Sequence, residues 1–225
     1  MHIGLIGGIG PAATEFYYRN LARAHAATGQ RMDLTIVHAE LRDLMQNMAD
    51  EAPEKQARLF LQLVRRLQGA GAEAVAVTSI GGHFCIDELT TICPLPIINV
   101  IPELDAELRR RGLTRVGVLG TRVVMDSRIY GGIPSVDVVV PQGDSFDAVH
   151  GAYVAMAVAG RATAEQRTLF FAAGRELCQR QGAEAVVLGG TDLFLAFAGH
   201  DCGFPVIDGA QVHIDALYRE SIKRA

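Results

Sequence analysis

Gly71-Ala72-Glu73-Ala74-Val75 recurs towards the far end of the chain as Gly182-Ala183-Glu184-Ala185-Val186. Each copy follows a stretch of helical periodicity and opens a short apolar run, so each reads as a helix-to-strand junction. Other segments echo around it. His2-Ile3-Gly4-Leu5-Ile6-Gly7 returns as Arg115-Val116-Gly117-Val118-Leu119-Gly120, with Tyr17 and Tyr130 at the same offset from the two runs. Pro96-Ile97-Ile98-Asn99 returns as Pro205-Val206-Ile207-Asp208. Echoes that keep their order and nearly constant spacing point to one α/β unit present twice. The expected halves are residues 1–100 plus 208–225 and residues 101–207, joined near 100–115. The C-terminal helix, from about Gln211, is expected to return to the first half.

Between the echoes, short apolar runs alternate with amphipathic stretches. His2–Gly7, Asp33–Glu40, Ala74–Thr78 and Leu95–Val100 read as strands. Ala12–Thr28 and Pro53–Gly69 read as helices, the latter with Leu59, Phe60, Leu63, Val64 and Leu67 on one stripe. Buried apolar strands separated by helices mean parallel pairing through right-handed crossovers. The fold class expected is α/β: two pseudo-symmetric halves, each a mainly parallel sheet flanked by helices, with a cleft between them.

Composition narrows the function classes. Of 225 residues, 49% are hydrophobic and 20% charged, the balance of a chain with a sizeable core. The formal net charge is −4 with no basic patch, which argues against a nucleic-acid partner. No apolar run approaches the ~18 residues of a membrane span. The apolar N-terminus is short, Gly-rich and has no Lys or Arg ahead of it, so it reads as a first strand of a cytoplasmic protein rather than a secretory leader. Cys85, Cys93, Cys178 and Cys202 form no CxxC pair and suit neither zinc nor a disulfide framework; they read as small core hydrophobes. No metal and no organic cofactor is expected.

Ligands of parallel sheets bind beyond the carboxyl ends of the strands. Two facing copies would turn four loops towards one cleft: Gly7–Thr14, Ser79–His83, Gly120–Met125 and Gly189–Asp192. Loops such as Gly199–Phe204 would lie on the far side. In the first loop, Gly8, Ile9 and Gly10 precede Pro11, which suits a first helical turn. Gly8-Ile9-Gly10 is half of a dinucleotide fingerprint with Ala at position 13, a weak signal, and no P-loop Lys follows. A small carboxylate suits the free amides of this loop better than a nucleotide. Ser79-Ile80-Gly81-Gly82-His83, Gly120-Thr121-Arg122 and Gly189-Gly190-Thr191-Asp192 each pair glycines with hydroxyls, a donor set for carboxylate oxygens to which Arg122 could add a charge-assisted bond. An Arg after a turn is more often a solvated surface residue, and Arg122 also reads as that. His83 is the imidazole placed at a cleft loop; it reads either as an acid–base group or as the cap of the following helix. Asp192 reads either as a base or as a stabiliser of the turn it opens. His2, His25, His38, His150 and His200 read as structural or exposed, and His213 stays a lesser candidate.

At these loops the chain resembles the aspartate/glutamate racemase family. Gly4-Leu5-Ile6-Gly7-Gly8 with Tyr17-Tyr18 is similar to the family's opening motif. Gly71 to His83 and on to Pro96 follows the segment that carries its first thiol. Arg115 through Thr121, Met125 and Tyr130 follows the middle motif. Gly182 to Asp192 follows the segment with the second thiol, and Asp208 and His213 fit the last motif. The resemblance implies a PLP-independent isomerase, a homodimer, and two residues on opposite faces of an α-carbon, one removing a proton and the other returning it. Ser79 and Gly190 stand where those thiols are expected, and Ile80 replaces an amide-bearing neighbour. A serine hydroxyl is a poor base unless activated, and glycine transfers no proton.

The reading is therefore an isomerase acting on a small amino or carboxylic acid such as aspartate or glutamate. Ser79, His83, Asp192 and the Gly190 position would form the catalytic set. Gly8, Ile9, Gly81, Gly82, Thr121, Arg122 and Thr191 would bind substrate. The alternatives are a decarboxylase or lyase on the same scaffold, which needs only one acid, and a non-catalytic carboxylate-binding homologue.

Overall fold

The repeated Gly-Ala-Glu turns out to be a strand clamp. In the computed structural model, which describes residues 1–223, the Glu73 carboxylate accepts the His2 amide at 2.6 Å while the Glu73 amide donates to the His2 carbonyl. Glu184 does the same in the second copy, accepting the amides of Thr114 (2.6 Å) and Arg115 (2.9 Å) and donating its own to the Arg115 carbonyl. One carboxylate thus ties the start of one strand to the start of its neighbour, which sets their register.

The elements, in order, are β1 (Ile3–Gly7), α1 (Pro11–Thr28), β2 (Leu34–His38), α2 (Leu41–Ala49), α3 (Pro53–Gly69), β3 (Ala74–Val77), α4 (Ile86–Ile92) and α5 (Val100–Arg110). Then follow β4 (Arg115–Leu119), α6 (Arg122–Asp126), β5 (Asp137–Val139), α7 (Asp144–Ala159), α8 (Ala164–Gln181), β6 (Ala185–Leu188), α9 (Phe194–Phe197), β7 (Val206–Asp208) and α10 (Gly209–Ser221). The fold is α/β with two parallel sheets, ordered β2-β1-β3 and β5-β4-β6-β7. The repeat holds at the level of single pairs: Ile3 faces Ala74 in the first sheet and Val116 faces Ala185 in the second.

The chain divides into two units. The first takes Met1–Asn99 and the chain from His213; the second takes Val100–Val212. Each packs its sheet against a helix through a glycine in the middle of the central strand. A Cβ on Gly4 would stand 2.9 Å from Leu67 of α3, and one on Gly117 would stand 2.8 Å from Leu177 of α8. Interior strand glycines usually weaken a strand; here they let the helix approach closely. Ile6, Phe60, Val64, Leu67, Val75 and Val77 lie in the core of the first unit. In the C-terminal helix, Tyr218 donates to Thr28 at 2.7 Å and the Met1 ammonium reaches the Ser221 carbonyl at 2.9 Å, so its last turns lie along α1.

One expected strand shortens to a single contact. Leu95–Val100 makes only an isolated parallel bridge, Val75 to Ile97, and Val100 already begins α5. Pro94 and Pro96 have no N–H to give a ladder. The Pro96 carbonyl still accepts the Val75 amide at 2.9 Å. In the second copy Pro205 repeats that bond with Val186, and the chain beyond it forms a true strand paired with β6.

Candidate active site

The first unit's strand ends carry two loops. At the end of β1, Gly8 and Gly10 have φ values of 89° and 100°, which glycine alone adopts without strain. The Gly8 amide donates to the Thr14 hydroxyl at 2.9 Å, and Thr14 donates to the Gly10 carbonyl at 3.1 Å. Ile9 packs into the core at 2% exposed, against Gly82. These two expected binding residues therefore build the turn, and the Gly8 amide already has an acceptor. Beside them lies a shallow hollow of about 360 Å³ bordered by Pro11, Tyr18, Ile36 and His38.

At the end of β3 the chain tightens into a 3-10 turn, Gly81–Cys85. The Ser79 hydroxyl accepts the Gly82 amide at 3.2 Å, so Ser79 and Gly82 close the turn together. The His83 ring folds back and donates Nδ1–H to the Ser79 carbonyl at 2.7 Å. That bond fixes the tautomer and leaves Nε2 with its lone pair. Nε2 is buried and meets no hydrogen-bond partner among the described residues. Burial holds the imidazole down at about 4, against the opposing pull of the Ser79 carbonyl. His83 is therefore neutral at pH 7.

A second histidine stands beside it. His213, from α10, lies with its ring centre 6.2 Å from that of His83. It donates Nε2–H to the Ile98 carbonyl at 2.8 Å and accepts the Tyr17 hydroxyl on Nδ1 at 3.0 Å. Burial first, and then the neighbouring His83, hold His213 at about 3. Nearby Cys85 is no thiolate. Burial, with Glu88 adding to it, pushes its thiol up to about 12, and the S–H points to the Gly82 carbonyl at 3.5 Å.

The second unit's loops differ. Thr121 caps α6 by accepting the Val124 amide. Arg122 is committed elsewhere: its guanidinium meets Asp147 at 2.5 Å and lies over the Phe146 ring, 5.3 Å from the centroid. Its amide donates to His150 Nδ1 at 3.1 Å. At the end of β6, Gly190 precedes a 3-10 turn, Thr191–Leu193, with Thr191 and Asp192 both buried. A Cβ at position 190 would stand 2.2 Å from Cε2 of Tyr153, on α7. The Tyr153 ring fills the space a side chain there would take. Its hydroxyl donates to Asp192 Oδ2 at 3.2 Å. Burial, and then the Asp192 charge, raise the phenol well above its ordinary value.

Ser79 and His83 thus meet in one turn, and Gly190, Thr191 and Asp192 in another. Tyr153 and the contact between His83 and His213 escaped the sequence reading. Tyr153 sits in a helix whose sequence is apolar nearly all round, where nothing marks one tyrosine as special. The one available signal was Gly190, since a glycine at a strand end implies something packed against it. Asp208, at the end of β7, also gains a property that its motif did not disclose. Burial pushes its carboxyl up to about 6, against the amides of Ala210 and Gln211.

Comparison with known proteins bears on the fold that carries these loops. The chain is similar to a proposed Asp/Glu racemase from Yersinia pestis, with 24% identity, a TM-score of 0.85, and 99% of this chain and 100% of that one covered. It is similar to an aspartate racemase homologue from Pyrococcus horikoshii OT3, at 23% identity, TM-score 0.83 and 99% of each chain. It is also similar to an aspartate racemase from Picrophilus torridus, at 18% identity, TM-score 0.78, and 100% and 96% coverage. At such identities these likenesses speak for the fold. The family model described as Asp/Glu/Hydantoin racemase matches residues 6–217, nearly the whole chain, and on that match this protein belongs to the Asp/Glu/Hydantoin racemase family.

Proposed function

We propose that this chain is a cofactor-independent isomerase acting on a small amino or carboxylic acid such as aspartate or glutamate. Family membership supports the reaction class. The observation that carries the assignment to residues is His83: a buried, neutral imidazole with its tautomer fixed and Nε2 left as an acceptor. Such a nitrogen is unprotonated at neutral pH and stands ready to accept a proton without first losing one. Ser79 lies in the same turn, and its hydroxyl carries a further proton there. In the second unit the hydroxyls of Thr121 and Thr191 are the groups proposed to bind carboxylate oxygens; the Gly82 amide of the first unit is already given to Ser79. The proposed assembly is a homodimer, which light scattering checks.

A second reading has one observation in its favour. With the Tyr153 ring filling the side-chain space at Gly190, no thiol can stand there. A decarboxylase or lyase needs only one acid–base group, and His83, through its Nε2 acceptor, is the group proposed for that role. Incubation with L-aspartate or L-glutamate in D₂O separates the readings. An isomerase places deuterium on the α-carbon of both enantiomers, and a decarboxylase releases CO₂. A protein that only raises its melting temperature with these ligands, and turns nothing over, sinks both.

A further inference from the structure

We propose that Tyr153 is a proton-transferring residue of the second unit, working with Asp192 on the α-carbon of a small amino acid at the carboxyl end of β6. The proposal rests on the isomerase reading above. Three features of the second unit carry it. The Tyr153 ring lies in the volume that any side chain at position 190 would occupy, its Cε2 2.2 Å and its Cζ 2.7 Å from a Cβ built there. Gly190 and Tyr153 are therefore a matched pair, in which helix α7 supplies the functional group that the strand end lacks. The position is the end of a central strand in a parallel sheet, where ligands of such sheets bind. And the phenol does not stand alone: it donates to a carboxylate that is itself only 2% exposed.

The proton balance closes within the pair. At rest the phenol holds the proton and Asp192 is the carboxylate. Transfer along the existing hydrogen bond gives phenolate and carboxylic acid with the charge unchanged. The phenolate oxygen then takes the α-proton, the C–H electron pair stays on carbon, and the pair is left neutral beside the carbanion. Read backwards, the phenol protonates the carbanion and recovers its proton from Asp192. Burial and the Asp192 charge raise the phenol above its ordinary value, so it does not ionise by itself. The same shift makes its phenolate, once formed, a stronger base, as a weak carbon acid requires.

The rival account is a hydrogen bond that merely ties α7 to the turn after β6. Tyr153→Phe separates the two, because it keeps the ring that fills the space at Gly190 and removes only the hydroxyl. Exchange of the α-proton of L-aspartate and L-glutamate is followed by NMR in D₂O, with melting temperature measured on the same samples. The expected result is a loss of roughly 100-fold or more in kcat for Tyr153→Phe and for Asp192→Asn, with KM changed by less than about threefold. Placing 3-fluorotyrosine at 153, which keeps ring and hydroxyl but weakens the base, is expected to slow exchange several-fold with the fold intact. This second measurement stands if either substitution fails to fold. Exchange by Tyr153→Phe near the wild-type rate, or a 3-fluorotyrosine protein that matches the wild type, overturns the proposal and leaves the isomerase reading in place. So does full activity in Asp192→Asn. Wild-type protein that exchanges neither amino acid sinks the isomerase reading, and the role of Tyr153 with it.

Discussion

His83 and Cys85 sit two residues apart in one 3-10 turn, and their surroundings separate their chemistry. Burial acts on both. It keeps the imidazole in its neutral, proton-accepting form and the thiol in its neutral, non-nucleophilic form. Whatever activity the D₂O assay finds should therefore be abolished in His83→Ala and nearly intact in Cys85→Ala; the reverse pattern would falsify the assignment. Native Cys85 should also resist thiol reagents until the protein is unfolded. At this scale the sequence disclosed identities without settings. That His83 lies at a strand end was legible from the run Ala74 to His83. That its Nδ1 is held by the Ser79 carbonyl, and that His213 faces it from a helix over a hundred residues away, was not. Nor was the packing of the Tyr153 ring against Gly190 legible, because a residue's partner across the fold has no local signature.

At the scale of elements the two copies are most alike within the sheets and the helices packed on them. The Glu73 and Glu184 clamps, the Gly4–Leu67 and Gly117–Leu177 contacts, and the bonds from Val75 and Val186 to prolines all set strand register and helix approach. They were readable as repeats because packing between a strand and its own neighbouring helix depends on residues close in sequence. The glycine contacts predict a measurable effect. Gly117→Ala forces a methyl to within 2.8 Å of Leu177 Cδ1 and should destabilise by about 1–3 kcal/mol, seen as a lower urea midpoint with an unchanged slope. Gly4→Ala should behave alike, and a neutral result at both sites would mean that the helices can shift freely. Gly190→Ala belongs to the same class but meets an aromatic ring at 2.2 Å, so a larger loss is expected there. The copies part at the strand ends, with a Ser–His turn in one and a Tyr–Asp pair in the other. The expected strand Leu95–Val100 is reduced to a single bridge, because the chain already enters α5 at Val100.

At the scale of the whole molecule, stability is tied to proton uptake. His83 and His213 have folded values of about 4 and about 3 against an ordinary 6.5. As the pH falls below 6.5 the unfolded chain takes up protons that the folded chain refuses, so stability falls, by up to about 1.4 kcal/mol per pH unit for each histidine. Asp208 has the opposite sign. Its folded value, about 6, lies above the ordinary 3.8, so across that window stability falls as the pH rises. Thermal melts between pH 4 and 8 should show an acid limb that His213→Gln flattens and Asp208→Asn steepens. The C-terminal helix should matter to the first unit as much as its own elements do. Removing the chain from His213 strips Tyr17 of the Nδ1 acceptor that its buried hydroxyl uses, and it strips Met1 and Thr28 of their partners on that helix. A fall in melting temperature is expected even though the first repeat is otherwise complete. From sequence alone came the parallel α/β class, the duplication, the loops at the strand ends and the family resemblance, because each rests on periodicity, on repeated words or on residues near one another in the chain. Only the folded structure decided which nitrogen of His83 keeps its lone pair, what fills the space at Gly190, and which thiol stays protonated. Those depend on burial and on partners brought together from distant parts of the chain, and no local pattern of residues encodes them.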